Sequence, residues 1–217
     1  MIRFPRKGFS LIELLAVMAI IVILLAFVAP AALSIVKGNK MTQASEVVGG
    51  QLTLARQTAL TRNKPVEVRF YQYADSEVPG ESITDPSTWH FRAIQAFEVV
   101  KTGIVTPLHE VRQLPSGIIL DSGSNLSSLL HSPSPAKGRD PIPRVGLDYR
   151  YSTIRFRPDG SVAKSTTSEG WFMTLHSLVD GDQLSSPPAN FVTFEIDVFN
   201  GALKTFRPGL AVAKPAN

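Results

Sequence analysis

The run KGFSLIELLAVMAIIVILLAFVAPAALSIV, residues 7–36, decides how the rest of the chain is read. After Lys7 it carries one charge, Glu13, and residues 14–36 are 23 positions without any. At about 1.5 Å of rise per residue, roughly 20 apolar residues cross the hydrocarbon core of a bilayer. Residues 9–36 are therefore expected to form a membrane-spanning helix. Arg3, Arg6 and Lys7 precede the run and favour a cytoplasmic N-terminus by the positive-inside rule; Lys37 and Lys40 on the far side weaken that bias without reversing it. The apolar part is longer than the roughly 7–15 residues of a secretory signal. A plain anchor leaves Glu13 unexplained, because an acidic side chain inside such a helix costs up to about 2.5–3.5 kcal/mol and is usually kept for a partner.

Working outward, the chain has 217 residues, which suits one domain behind this segment. Hydrophobic content is 44% and charged content 18%, enough to build a core. The net charge is +4, but three positive charges lie in the first seven residues. The remainder is nearly balanced and gives little reason to expect a nucleic-acid partner. There is no cysteine. Disulfides, thiolate metal sites and thiol catalysis are excluded, and an exported domain must be held by burial.

Residues 37–64 keep helical spacing, with Val47, Val48, Leu52, Leu54, Ala55, Ala59 and Leu60 largely on one stripe. One long helix is expected from 9 to 62, its second half amphipathic and packed on a sheet. Pro30 is expected to kink or locally melt it, or else to end the membrane portion. Gly49-Gly50 lowers helix propensity, and Asn63-Lys64-Pro65 ends the helix. Beyond Pro65 the pattern changes to alternation. Strands are expected at 66–71, 89–101, 104–114, 118–120, 149–157, 170–178, 191–199 and 202–207. The strand at 89–101 should place His90, Arg92 and Ile94 opposite Phe91 and Ala93. Pro158-Asp159-Gly160 is a turn, and Asn200-Gly201 between two apolar runs is a hairpin signal. Residues 74–88 read as a polar loop. Residues 121–146, rich in Ser, Pro and Gly, read as a long, mobile insertion. The fold class is α+β: a long N-terminal helix packed on an antiparallel sheet domain at 65–217.

Residues 7–15, Lys7-Gly8-Phe9-Ser10-Leu11-Ile12-Glu13-Leu14-Leu15, resemble the signature of type IV prepilins and type II secretion pseudopilins: a basic leader ending in Gly, then Phe, then an apolar run with Glu at its fifth position. The resemblance implies a pilin-like fold and a leader at 1–8 cut by a prepilin peptidase between Gly8 and Phe9, with Phe9 then N-methylated. It implies that Glu13 neutralises the terminal amine of a neighbouring subunit, and Pro30 matches a proline found at this depth in many pilins. The implied partners are the peptidase, other pilin or pseudopilin subunits, inner-membrane assembly machinery and membrane lipid. The implied location is the bacterial inner membrane, with the C-terminal domain periplasmic and later carried in the filament. Residues 54–63, LARQTALTRN, the stretch Phe156-Arg157-Pro158-Asp159-Gly160 and the Asn200-Gly201 turn resemble the H-type minor pseudopilins and their FimT-like relatives. Members acting in DNA uptake use arginines near the C-terminus, which makes Lys204 and Arg207 weak nucleic-acid candidates here.

Signs of catalysis are absent from the sequence. His90, His109, His131 and His176 are scattered, with no HExxH spacing, and neither a phosphate loop nor a G-x-S-x-G elbow occurs. Asp180-Gly181-Asp182 and residues 121–125 could offer oxygens to calcium but read better as polar turns. No catalytic residue, metal or cofactor is expected. The expected function is that of a structural filament subunit. The alternatives are a DNA-binding pilus-tip subunit, or a membrane-anchored periplasmic binding module or enzyme.

Overall fold

The computed structural model describes residues 10–101, 104–131, 136–138, 141–143, 145–163 and 171–208, without the side chains of 27–37 and 101. The chain divides into two compact units, Met1–Asn39 and Lys40–Asn217. A single helix, α1, runs Leu11–Arg62. Its backbone stays helical through position 30, so Pro30 does not end it. It closes where expected: Asn63 takes a left-handed conformation (φ 50°), the usual exit from a helix for Gly or Asn, and Pro65 follows two residues later.

Within the second unit, Met41, Ala44, Val48, Leu52, Ala55 and Ala59 are buried at steps of three and four residues, the spacing that puts side chains on one helical face. Leu54 and Leu60, read as part of that stripe, are instead exposed. They lie off the 41–59 line, which carries the fully buried contacts with the sheet. Gly49 has a packing role: a Cβ there would sit 3.4 Å from the Phe194 ring and 3.8 Å from Leu203.

The sheet contains β1 (Val66–Tyr73), β2 (His90–Lys101), β3 (Ile104–Pro107), β4 (Arg112–Gln113), β5 (Ile118–Leu120), β6 (Ala136–Lys137), β7 (Arg150–Phe156), β8 (Val162–Ala163), β9 (Trp171–Ser177), β10 (Phe191–Ile196) and β11 (Leu203–Phe206). The order is β11-β10-β9-β5-β2-β1-β7-β6, with β3 and β4 also on β2 and β8 on β7. All the pairings are antiparallel. Val66, Val68, Phe70, Ile94, Ile154, Phe156, Met173, Leu175, Val192 and Phe194 share one core with the helical stripe. Fully burying each large apolar side chain contributes about 1.5–3 kcal/mol. The opposite face carries a smaller cluster of Tyr71, Tyr73, Ala93, Phe97, Ile142 and Tyr149.

Three expectations change. The alternation in β2 breaks at Arg92: Tyr71 pairs with Ala93 and Gln72 with Phe91. The extra residue is a bulge, which shifts the facing of everything beyond it. Phe91 and Ile94 consequently share the helix-side core, while Ala93 belongs to the other cluster.

The segment expected to be a loose insertion, 121–146, is packed over its first part. Leu129 and Leu130 belong to the main core, and Asp121 and Ser127 are fully buried. It makes no regular strand there, yet it follows β9 through serine-mediated bonds. The Asp121 amide donates to the Thr174 carbonyl, and Leu129 to that of Phe172. Ser127 and Ser128 hydroxyls accept from the Thr174 and Phe172 amides. Serine density therefore satisfies backbone groups rather than signalling a solvated loop.

The last turn is also wider than a two-residue hairpin: β10 ends at Ile196 and β11 begins at Leu203. Asp197 closes it by accepting from the Phe199 and Asn200 amides.

Candidate functional site

At the start of α1, Ser10 and Glu13 form a reciprocal capping box. The Ser10 amide donates to Glu13 Oε2 at 2.9 Å, and the Glu13 amide to Ser10 Oγ at 3.2 Å. This satisfies backbone donors that the first helical turn leaves open. Glu13 thus has a local task in capping the helix. Gly8 and Phe9, expected to flank a cleavage point, lie outside the described residues.

From Leu11 to Leu25 the large apolar side chains are exposed on every face, from 45% at Ile21 to 83% at Leu11. Among the described residues, no helix is long and apolar enough to cross a membrane. The expected span at 9–36 includes residue 9 and the side chains of 27–36, which lie outside that description.

The residues that carried the second resemblance meet at the C-terminal end of α1. Arg56 Nε donates to the Asn200 carbonyl at 2.7 Å. Gly201 (φ 66°) comes so close that a Cβ there would lie 2.2 Å from the Gly160 carbonyl oxygen and 3.2 Å from the Phe156 ring. Asp159 closes its own turn by accepting from the Ser161 amide and hydroxyl, which hold its carboxyl below the usual range. Three stretches far apart in sequence therefore form one junction.

The nucleic-acid candidates do not form a site together. Lys204 is exposed on β11, but Arg207 donates from Nη2 to Ser45 Oγ at 3.0 Å, tying the end of the sheet to the helix.

Two of the scattered histidines are brought together with acidic residues. His176 and Asp121 are both fully buried, with Nε2 and Oδ2 3.0 Å apart. Asp182 lies beside them and accepts from the Ser122 amide and hydroxyl; His90 Nδ1 is 3.0 Å from its Oδ2. His90 in turn approaches Glu81, which pairs with Arg92, which also reaches Asp75. The two turns at 121–125 and 180–182, read separately from sequence, are thus one cluster. No sequence spacing could have shown it, because Asp121 and His176 are 55 positions apart.

On the other sheet face, Arg69 is sandwiched between the Phe97 and Tyr151 rings, 4.4 and 4.6 Å from their centroids. Arg69 and Arg155 share the Glu67 carboxylate. A cleft of about 1210 Å³ opens beside Arg69, Tyr71, Gln95, His109 and Tyr149. Burial raises the Tyr71 hydroxyl, which donates to Gln95 Oε1, well above its ordinary range and pushes that of Tyr73 up to about 12.

Residues 3–29 match the family model of the prokaryotic N-terminal methylation motif. No curated protein matches the chain. Among solved structures the chain is similar to the type IV minor pilin FimU of Pseudomonas aeruginosa, at 11% identity and a TM-score of 0.44, over 79% of this chain and 94% of that one.

Proposed function

We propose that this chain, whose N-terminus carries a prepilin-type methylation motif, is a structural minor pilin or pseudopilin of a type IV pilus-like or type II secretion filament. The motif is the observation that carries the reading. A prepilin peptidase cuts between Gly8 and Phe9, Phe9 is methylated, and residues 9–36 hold the subunit in the inner membrane with its sheet domain in the periplasm. Assembly exchanges lipid for neighbouring helices around the same apolar side chains, which keeps their burial favourable. The work is assembly rather than catalysis. Convergence of Arg56, the 157–161 turn and the 197–202 turn supports placement near the H-type minor pseudopilins. The bond between Arg207 and Ser45 gives Arg207 a structural task, which favours the assembly reading over the DNA-binding alternative.

Two measurements test this. Intact mass and N-terminal sequencing of the protein from its native membrane should give a chain beginning at methylated Phe9; an intact Met1 start would overturn the processing step. Glu13→Gln and Glu13→Ala then separate the two tasks of that residue. Gln can still complete a capping box with Ser10 but carries no charge. Both variants should be cleaved yet fail to enter sheared filaments. Normal incorporation of Glu13→Gln would remove the charge from the assembly mechanism and leave only the cap.

A further inference from the structure

Ring geometry at His176 leaves a proton or a cation to be placed between two buried groups. Nδ1 lies 3.0 Å from the Ser177 carbonyl oxygen. A carbonyl only accepts, so Nδ1 carries the donated proton. In a neutral ring Nε2 is then an acceptor, and 3.0 Å away it faces Asp121 Oδ2, another acceptor. Both residues are fully buried. Two acceptors pointed at each other without solvent repel unless a proton or a cation lies between them. A ligand atom of a second carboxylate, Asp182, lies within 4.8 Å of both. A second ring proton would answer Asp121 alone and leave Asp182 to His90 Nδ1 and the Ser122 hydroxyl, whereas a divalent cation would take an oxygen from both carboxylates.

We propose that Asp121, His176 and Asp182 bind a divalent transition-metal ion of the zinc class. A histidine that offers Nε2 while its Nδ1–H is held by a backbone carbonyl has the usual outer-shell arrangement of a metal ligand. The carboxylates are oriented in the same way. Asp121 accepts from the Gly123 and Leu184 amides, and Asp182 from the Ser122 amide. Ligands at about 2.0–2.2 Å in tetrahedral array are separated by roughly 3.3 Å, close to the Asp121–His176 spacing, with water or the Ser122 hydroxyl available for the fourth position. Asp182, on the 181–184 turn, is the ligand that closes in. Calcium is disfavoured because it takes six to eight oxygens and this site offers a nitrogen in a confined space. The ion would clasp the 121–123 and 181–184 turns to β9, a crosslink in a chain without cysteine. The proposal does not depend on the filament reading.

The test uses the full, untagged chain in detergent, equilibrated with zinc, desalted and analysed for metal by mass spectrometry. Stoichiometric zinc and a melting temperature that falls on chelation are expected. His176→Gln should abolish retention. Because that variant removes a buried group and risks misfolding, Asp182→Asn is the second: its turn reaches the surface, and it should keep the wild-type circular dichroism while weakening zinc binding at least about tenfold. Equal zinc retention in Asp182→Asn and wild type would overturn the proposal. So would an absence of retained zinc, or nitrogen-15 spectra showing both His176 ring nitrogens protonated after zinc equilibration, which would make the site a buried ion pair.

Discussion

The two halves of α1 are built from similar apolar material and treat it in opposite ways. Between Leu11 and Leu25 every large apolar side chain is exposed, whichever way it points. Between Met41 and Ala59 only one line is apolar and buried, and the other faces carry Gln, Glu, Thr and Arg. A helix that is hydrophobic all round belongs in lipid or within a bundle, whereas a striped one belongs on the surface of its own domain. Under the proposed function, the first half is the part that meets lipid or neighbouring helices. The second half is complete on its own. A single helix thus has one part that folds a domain and one part whose apolar surface the proposed function assigns to a membrane or neighbouring subunits.

A matched pair of charges gives the largest effects and would break this comparison if it fails. Leu52→Arg puts an unpaired charge into the core beside the sheet and should abolish the cooperative melt of the domain. Leu24→Arg should leave that melt unchanged, measured by circular dichroism in detergent, because Leu24 lies in an exposed stretch. It should instead reduce recovery in the membrane fraction, since Arg near the centre of a spanning helix costs about 2.5–3.5 kcal/mol on insertion. A drop in domain melting for Leu24→Arg comparable to that for Leu52→Arg would show that the first half also supports the domain.

The same contrast explains what could be read before the structure. The helix, its end at Asn63 and most strands follow from periodicity, because burial at a fixed interval leaves a direct trace in the sequence. Leu129 and Leu130 were missed because they sit in an irregular segment whose backbone is satisfied by serine hydroxyls, so no period marks them. The Phe91–Ile94 facing was missed because a bulge at Arg92 resets the alternation. The cluster of Asp121, His176 and Asp182 was invisible for a different reason. Its members come from a turn, a strand and another turn, and only the antiparallel pairing of β5 with β9 brings them together. The methylation motif is the opposite case, since consecutive residues carry it.

Glycines sharpen the comparison on a smaller scale. Gly201 sits at the junction of the second half of α1 with two turns, at φ 66° and with no room for a Cβ beside the Gly160 carbonyl. Gly201→Ala should destabilise the domain by about 1–3 kcal/mol through left-handed strain and backbone displacement. Gly50 is helical with nothing within 4 Å of a Cβ. Gly50→Ala should therefore stabilise it by about 0.5–1 kcal/mol. Chemical denaturation of both variants reads the difference. Equal effects would mean that the Arg56–Asn200–Gly160 junction is not a fixed part of the fold.

The smallest effect concerns the polar end of the self-sufficient half. Arg62, in the last turn of α1, and Lys64 just beyond it both donate to the Glu98 carboxylate on β2. Hydrogen bonds first from Lys64 and then from Arg62 hold the Glu98 carboxyl below its ordinary value of 4.5. A carboxylate with a depressed folded pKa contributes stability above its unfolded pKa and loses it as pH falls through the folded one. Glu98→Gln should therefore lower the melting temperature slightly at neutral pH, and its deficit relative to wild type should shrink as pH falls below the ordinary carboxylate value. Added salt should narrow the neutral-pH deficit, because both cations are largely exposed and screened. A deficit independent of pH and salt would show that Glu98 acts through packing on β2. The end of α1 would then be fixed by the buried line from Met41 to Ala59 and by the bond from Arg56 to Asn200.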